Sequence, residues 1–487
     1  MTVLESKHAE SHQHAVAIAL EQEVRPPVVV DAALESALEA DTVAFGKKLF
    51  AAVEKHKPNV LSIQRANDFI MQLMMKDEDL RYRMLRFVDV YPAVCRGASL
   101  TRHLEEYLTH PDLSSGKPQT TLSTLARQIG RERSSTKALI RWASSFGIKQ
   151  MGSQFIAGNT PETVAPKIRR MESEGFMFSL DLLGEFVVSE KQADHYFQRY
   201  MEMVQRFGKL LGPSPAKANK ASGPRVNISI KLSSQTSKFE VMDPHGTSER
   251  VRERLRPLLR AALKHQVFLN VDMEKFEYRD LTFRIILDLF DEEEFRGFPY
   301  LGIVHQAYLK DADDCLTWFL SELRKRNQQM TIRLVKGAYW DSEQIWARMK
   351  NWPVPVITQK RLTDAMYEKC LRILMQNTDV VRVAVASHNV RSIAHALALK
   401  KHYRVPTERF EFQVLYGMAG PIKDALLAAK MPVRIYTPCG ELVPGMAYLV
   451  RRILENTSNE SFLRQRFTEG AKEDVLLSDP KKSEFLK

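Results

Sequence analysis

The chain has 487 residues, with 71 Lys plus Arg against 59 Asp plus Glu, a formal net charge of +12, 44% apolar residues and 27% charged ones. That balance describes a globular chain with room for one large domain and a smaller one. No apolar run reaches the roughly 18 residues that span a bilayer, and the first residues lack a signal peptide's basic-then-apolar layout.

Four cysteines, Cys95, Cys315, Cys370 and Cys439, lie far apart without a CxxC pair, which points to a reduced, cytoplasmic setting. Residues 1–35 read as a flexible tail. Their His8, His12 and His14 belong to that tail rather than to a metal site. Residues 36–170 read as a helical arm and helical domain, with apolar residues at 3–4 spacing in VAFGKKLFAAVEKH and QRANDFIMQLMMKDEDLRYRMLRFVDVYPAV. Met71, Met74 and Met75 are packing residues there. The basic stretch 127–149 lacks interleaved aromatics and any nucleic-acid reader motif, so it and the Arg169-Arg170 pair read as solvated helix faces. No nucleic-acid partner is expected.

From Gly175 the texture changes to short β-rich runs separated by helical patterns. The runs are FMFSLDLL (176–183), VNISIKLS (226–233), VFLNVDME (267–274), LGIVHQAY (301–308), MTIRLVKG (330–337), RVAVASHN (382–389), FEFQVLYG (410–417) and PVRIYTPCG (432–440). Eight βα units predict a (β/α)8 barrel over 171–467, with 468–487 as a C-terminal tail. Within the strands the residues alternate: Ile228 and Ile230 oppose Asn227, Ser229 and Lys231, and Ile332 and Leu334 oppose Thr331 and Arg333. Helices cover a barrel's outside, so the apolar parity should face outward and the polar parity inward. Lys231, Asp272, Gln306, Arg333, His388, Gln413 and Tyr436 then fall late on the inward parity. Buried polar groups are costly unless partnered, so this mouth should hold a polar ligand. His305, on the outward parity, reads as a satisfied core histidine.

No GxGxxG fingerprint, GxxxxGK[ST] loop or HExxH motif is present, and no metal is expected. Lys231 could serve as a Schiff-base lysine in a barrel lyase, while a regulator binding nucleic acid through 127–149 is a rival of another class. Adjacent helix residues point about 100° apart, so one solvated stripe does not easily hold both Arg451 and Arg452 of AYLVRRILEN. With Arg333 they argue for an anionic ligand.

The segments FSLDLLGE, ISIKLSS, NVDMEKFEY, HQAYLK, IRLVKGAYWDSE, ASHN, FQVLYGMA, RIYTPCGE and AYLVRRILEN, in this order, resemble the proline dehydrogenase family. They resemble above all the barrel of the large bacterial proline utilization enzymes, and the region 42–150 is similar to the helical part preceding it. The resemblance implies FAD in a distorted TIM-type barrel, oxidising L-proline to 1-pyrroline-5-carboxylate and passing electrons to a membrane quinone from a peripheral place on the cytoplasmic membrane. It implies that Lys231, Arg451 and Arg452 bind the substrate carboxylate, and that Asp272 and Arg333 are catalytic. Tyr436, Tyr448 and Leu415 would shape the proline pocket, with Glu455 orienting an arginine. Met273, Gln306, Arg333, Lys336, Gly337, Ala338, Tyr339, Trp340, Ser387, His388 and Gln413 would contact FAD. Ser387 stands where the family usually has threonine. The large enzymes carry an aldehyde dehydrogenase half, and some an N-terminal DNA-binding ribbon-helix-helix element. Neither is seen here, so the chain reads as a monofunctional enzyme with a separate pyrroline-5-carboxylate dehydrogenase, or as a fragment.

Overall fold

The computed structural model describes residues 32–55, 154–184, 187–215, 223–418, 420–441, 445, 448, 451–452 and 472–482. Glu455, the basic stretch 127–149, the methionines 71–75 and the N-terminal histidines lie outside them.

Local chemistry sets the boundaries of the elements. Helix α1 (Ala32–Lys55) comes first among the described residues. Helix α2 (Pro161–Glu174) starts from a capping box between Thr160 and Thr163 with proline in its first turn. It ends at Gly175, whose φ of 99° turns the chain into β1 (Met177–Leu182). Both arginines of the Arg169-Arg170 pair are exposed on α2, as expected of a solvated face. Next come α3 (Glu190–Leu211), capped by Ser189, and β2 (Val226–Ile230). In α4 (Pro244–His265), Asp243 accepts from Gly246 N at 2.9 Å and Pro244 opens the helix. Then follow β3 (Val267–Val271), α5 (Arg279–Asp291), β4 (Leu301–Gln306), α6 (Ala312–Lys325) and β5 (Met330–Val335). After β5 stand α7 (Trp340–Met349) and α8 (Lys360–Gln376), then β6 (Val381–Ala386) and α9 (Val390–His402). The series closes with β7 (Phe410–Leu415), α10 (Gly420–Ala428), β8 (Val433–Cys439) and a short α11 (Glu473–Leu476).

The eight strands pair in sequence order, all parallel, and β8 closes on β1 in register Ser179↔Tyr436. Closure removes every sheet edge, so all strand N–H and C=O groups are available for ladder bonds. The outward parity is sealed under helices: Ile228, Ile230, Leu269, Val271, Ile332 and Leu334 are all fully buried. His305 is buried there too, with Nε2 2.8 Å from Ala312 O, and burial lowers its pKa to about 4. The expectation of a satisfied core histidine holds.

The N-terminal helix and the C-terminal segment meet on the barrel's flank. α1 packs on α9 and α10, burying Leu38, Leu49, Phe50 and Val53. Arg391 of α9 ties this layer together, donating to Glu39, to Glu368 and, at 2.5 Å, to Leu477 O. A Cβ at Gly46 would collide with the Leu477 side chain, so glycine lets α1 and α11 approach closely.

Candidate active site

The inward parity builds a charged network across the lumen near the carboxyl ends of the strands. Strands β1 and β5 are diametrically opposed in an eight-membered ring, so a contact between them must cross the interior. Arg333 of β5 makes that crossing, with Nη2 donating to Ser179 Oγ at 3.3 Å and Nη1 to Ser229 Oγ at 3.2 Å. Arg333 Nη1 also donates to Asp272 Oδ1 at 2.8 Å. The other oxygen of Asp272 accepts from Tyr436 Oη at 2.8 Å and lies 3.9 Å from Lys231 Nζ. Lys231 in turn donates to Asp181 Oδ1 at 2.7 Å. Arg333 is 3% exposed, Lys231 5% and Asp181 1%, so two cations and two carboxylates balance in a place where an unpaired charge would be untenable. The Arg333 guanidinium stacks 5.0 Å from the Tyr436 ring centroid. Burial, reinforced by Asp181 and Asp272, holds the Tyr436 phenol well above its ordinary pKa, so it remains a donor to Asp272.

Above this layer the aromatic and basic residues expected at the mouth gather. The Arg451 guanidinium lies 5.5 Å from the Tyr339 ring, and that of Arg452 lies 5.1 Å from the buried Tyr448 ring. His388 Nε2 accepts from Leu415 N at 3.1 Å, which puts the ring proton on Nδ1. Lys336 pairs with Asp364, which also accepts from Lys360 at 3.1 Å. Burial lowers the Lys336 pKa against the opposing pull of Asp364. Ser387 Oγ accepts from Asn389 N at 3.1 Å beside the α9 cap. Met273 is buried, Ala338 is exposed, and Trp340 Nε1 donates to Ile357 O at 2.8 Å.

Buried polar atoms at the mouth are open to a bound group. Gln306, 3% exposed, donates through Nε2 to Glu274 O at 3.0 Å, while its Oε1 accepts nothing among the described residues. Arg333 Nε is likewise a buried donor without an acceptor there. One acceptor and one donor left open at the same end suit a heteroaromatic edge carrying both N–H and ring nitrogen. Gly337 has φ 145°, and a Cβ there would lie 2.4 Å from the Tyr308 ring. Only glycine lets the backbone pass so close to that ring.

Gln413, on the same inward parity, buries its Oε1 without a donor among the described residues. Its Nε2 donates to Glu411 Oε1 at 2.6 Å, and it lines a cavity of about 190 Å³ with Asn227, Asn270 and Arg434. No hydrogen bond among the described residues joins it to the mouth. Asp181, Ser179 and Ser229 are the residues the sequence reading did not single out as site residues. The signal was available for β1, where Ser179 and Asp181 alternate with Leu180 and Leu182 as in the other strands.

Residues 164–465 match the proline dehydrogenase family profile, and residues 39–155 match that of the proline utilization A N-terminal domain. The bifunctional protein PutA of Klebsiella aerogenes is 31% identical over 376 residues, which is 76% of this chain and 28% of that protein. Proline dehydrogenase 1 of Bacillus subtilis (strain 168) is 27% identical over 331 residues, covering 68% of this chain and 95% of that protein. Among solved structures, proline utilization A from Bdellovibrio bacteriovorus, inactivated by N-propargylglycine, matches with a TM-score of 0.79 at 34% identity. That match covers 92% of this chain and 44% of that one. The chain spans 28% of the length of the Klebsiella relative.

Proposed function

The chain belongs to the proline dehydrogenase family, and from that membership we propose that it oxidises L-proline to 1-pyrroline-5-carboxylate with FAD as cofactor and a membrane quinone as final acceptor. The observation that carries this reading is the buried Asp181–Lys231–Asp272–Arg333 network beneath the paired Arg451 and Arg452. Proline is a small zwitterion whose carboxylate is its one strong handle. Guanidiniums grip a carboxylate bidentately, and adjacent arginines on a helix approach it from two directions.

FAD would supply the two-electron acceptor that amine-to-imine oxidation demands. The chain's own residues do the rest. Arg451 and Arg452 hold the carboxylate. Tyr436, fixed through Asp272, closes over the pyrrolidine ring and excludes water. Gln306, Lys336, Gly337 and His388 would hold the cofactor. Lys231, bonded to Asp181 at 2.7 Å, is engaged as a charge partner, which disfavours the Schiff-base lyase reading. The imine product would pass to a pyrroline-5-carboxylate dehydrogenase, on a separate chain or within the same protein. The chain would work in the cytoplasm, peripherally at the inner face of the membrane.

The test is a purified protein with a flavin spectrum that L-proline bleaches without oxygen and a soluble quinone analogue restores. A protein without flavin, a flavin indifferent to proline, or efficient direct NAD reduction would overturn the reading.

A further inference from the structure

Helix α7 and the loop after it present an apolar, aromatic face to solvent. Ile345, Trp346, Met349 and Trp352 are 55%, 51%, 73% and 55% exposed. The helix buries Gln344 and Ala347 instead, so Ile345, Trp346 and Met349, at spacings of one and four, share its outer face. Basic residues interleave with them. Lys350 Nζ lies 5.4 Å from the Trp346 ring and 4.3 Å from the Trp352 ring, and Arg348 and Arg361 are also exposed. Over 340–362 four cations, Arg348, Lys350, Lys360 and Arg361, stand against two carboxylates, Asp341 and Glu343.

The chemistry of this face selects its occupant. The centre of a protein–protein interface is depleted in lysine and closes over its aromatic anchors. Here a lysine sits between two tryptophan rings at the middle of the patch. Tryptophan favours the boundary between hydrocarbon and headgroups. Lysine lays its apolar stem along such a surface and sends its ammonium to the phosphates, and anionic lipid rewards the surplus positive charge. No helix among the described residues is long and apolar enough to cross a membrane, so contact through this helix would be peripheral.

The position is also informative. α7 follows directly on Lys336–Tyr339, the segment that borders the mouth beneath Arg451. We propose that the α7 face, Ile345, Trp346, Met349 and Trp352 with Lys350, docks the protein on an anionic lipid bilayer, which rests on the reading above that electrons leave to a lipid-dissolved acceptor. Docking there puts the site's rim against the phase that dissolves the acceptor.

Flotation of the full chain with vesicles of equal parts phosphatidylcholine and phosphatidylglycerol tests this. The variants are Trp346→Ser/Met349→Ser/Trp352→Ser and Lys350→Glu, each also assayed for proline turnover with a soluble quinone analogue and for molar mass by light scattering. The unaltered protein should float with anionic vesicles and not with pure phosphatidylcholine. The triple variant should partition at least about tenfold less, and Lys350→Glu should weaken binding most at low salt. Soluble-acceptor turnover and mass should stay unchanged. An unaltered protein that fails to float, a triple variant that floats equally, or a drop in mass showing that this face joins two copies would overturn the proposal. Failure to float with turnover retained strikes the docking surface alone. Flotation lost in the triple variant, with no proline turnover in any form, supports the surface and strikes the catalytic reading instead.

Discussion

Replacing Asp272 with alanine removes the hub of the cross-lumen network. Its carboxylate accepts from Arg333 and from Tyr436, each at 2.8 Å, and lies 3.9 Å from Lys231. Lys231 keeps Asp181 as a partner at 2.7 Å. Among the described residues Arg333 keeps hydrogen bonds to the hydroxyls of Ser179 and Ser229 at 3.2–3.3 Å, and the nearby Glu411 carboxylate is already paired with Arg434. With its side chain 4% exposed, the guanidinium loses its directly bonded carboxylate while still buried, at a cost of roughly 3–5 kcal/mol. The urea midpoint of Asp272→Ala should fall accordingly, and proline turnover should be lost. Adding Arg333→Met removes the stranded charge, so Asp272→Ala/Arg333→Met should unfold at a higher urea concentration than Asp272→Ala alone. The assay is equilibrium unfolding by near-ultraviolet circular dichroism on the four proteins of the cycle. A single variant that loses less than about 1 kcal/mol, or a double variant less stable than Asp272→Ala, would refute the charge balance.

Arg451→Met and Arg452→Met should each raise KM for proline by about 10- to 150-fold, the loss of a charge-assisted contact worth roughly 1.5–3 kcal/mol. Flavin content should hold, and unchanged KM in both would sink the carboxylate assignment. Tyr436, pinned to Asp272, should leave no room for a ring hydroxyl. Proline should therefore outpace hydroxyproline in kcat/KM, with Tyr436→Ser narrowing the ratio, and equal rates in the unaltered protein would contradict this. His305 is neutral in the fold, with burial lowering its pKa from 6.5 to about 4. The unfolded chain therefore binds the extra proton first, and stability contributed above pH 6.5 is lost as pH falls toward 4, by up to about 1.4 kcal/mol per pH unit. His305→Gln, which keeps a donor for Ala312 O, should flatten the acid limb of a stability–pH curve relative to the unaltered protein, and an identical limb would contradict the assignment.

What the sequence determined by itself was everything carried by local periodicity. All eight strands form where the β-rich runs stand, and the apolar parity does face the helices, because side-chain alternation is built into the strand backbone. Adjacent arginines at 451 and 452 were likewise visible as an oddity of helix geometry. Partnership was not visible, because it depends on closure of the barrel. Ser179 and Arg333 are 154 residues apart, and Asp181 and Lys231 are 50 apart. Only when β8 pairs with β1 do these side chains share one lumen. The same closure assigns depth. Gln413 falls on the inward parity with Arg333, and its amide donates to Glu411, which stands in register with Arg333 through Ala384. Parity chooses between inside and outside, whereas height in the barrel follows from the shear of the whole sheet. A strand of alternating residues contains no term that specifies that shear.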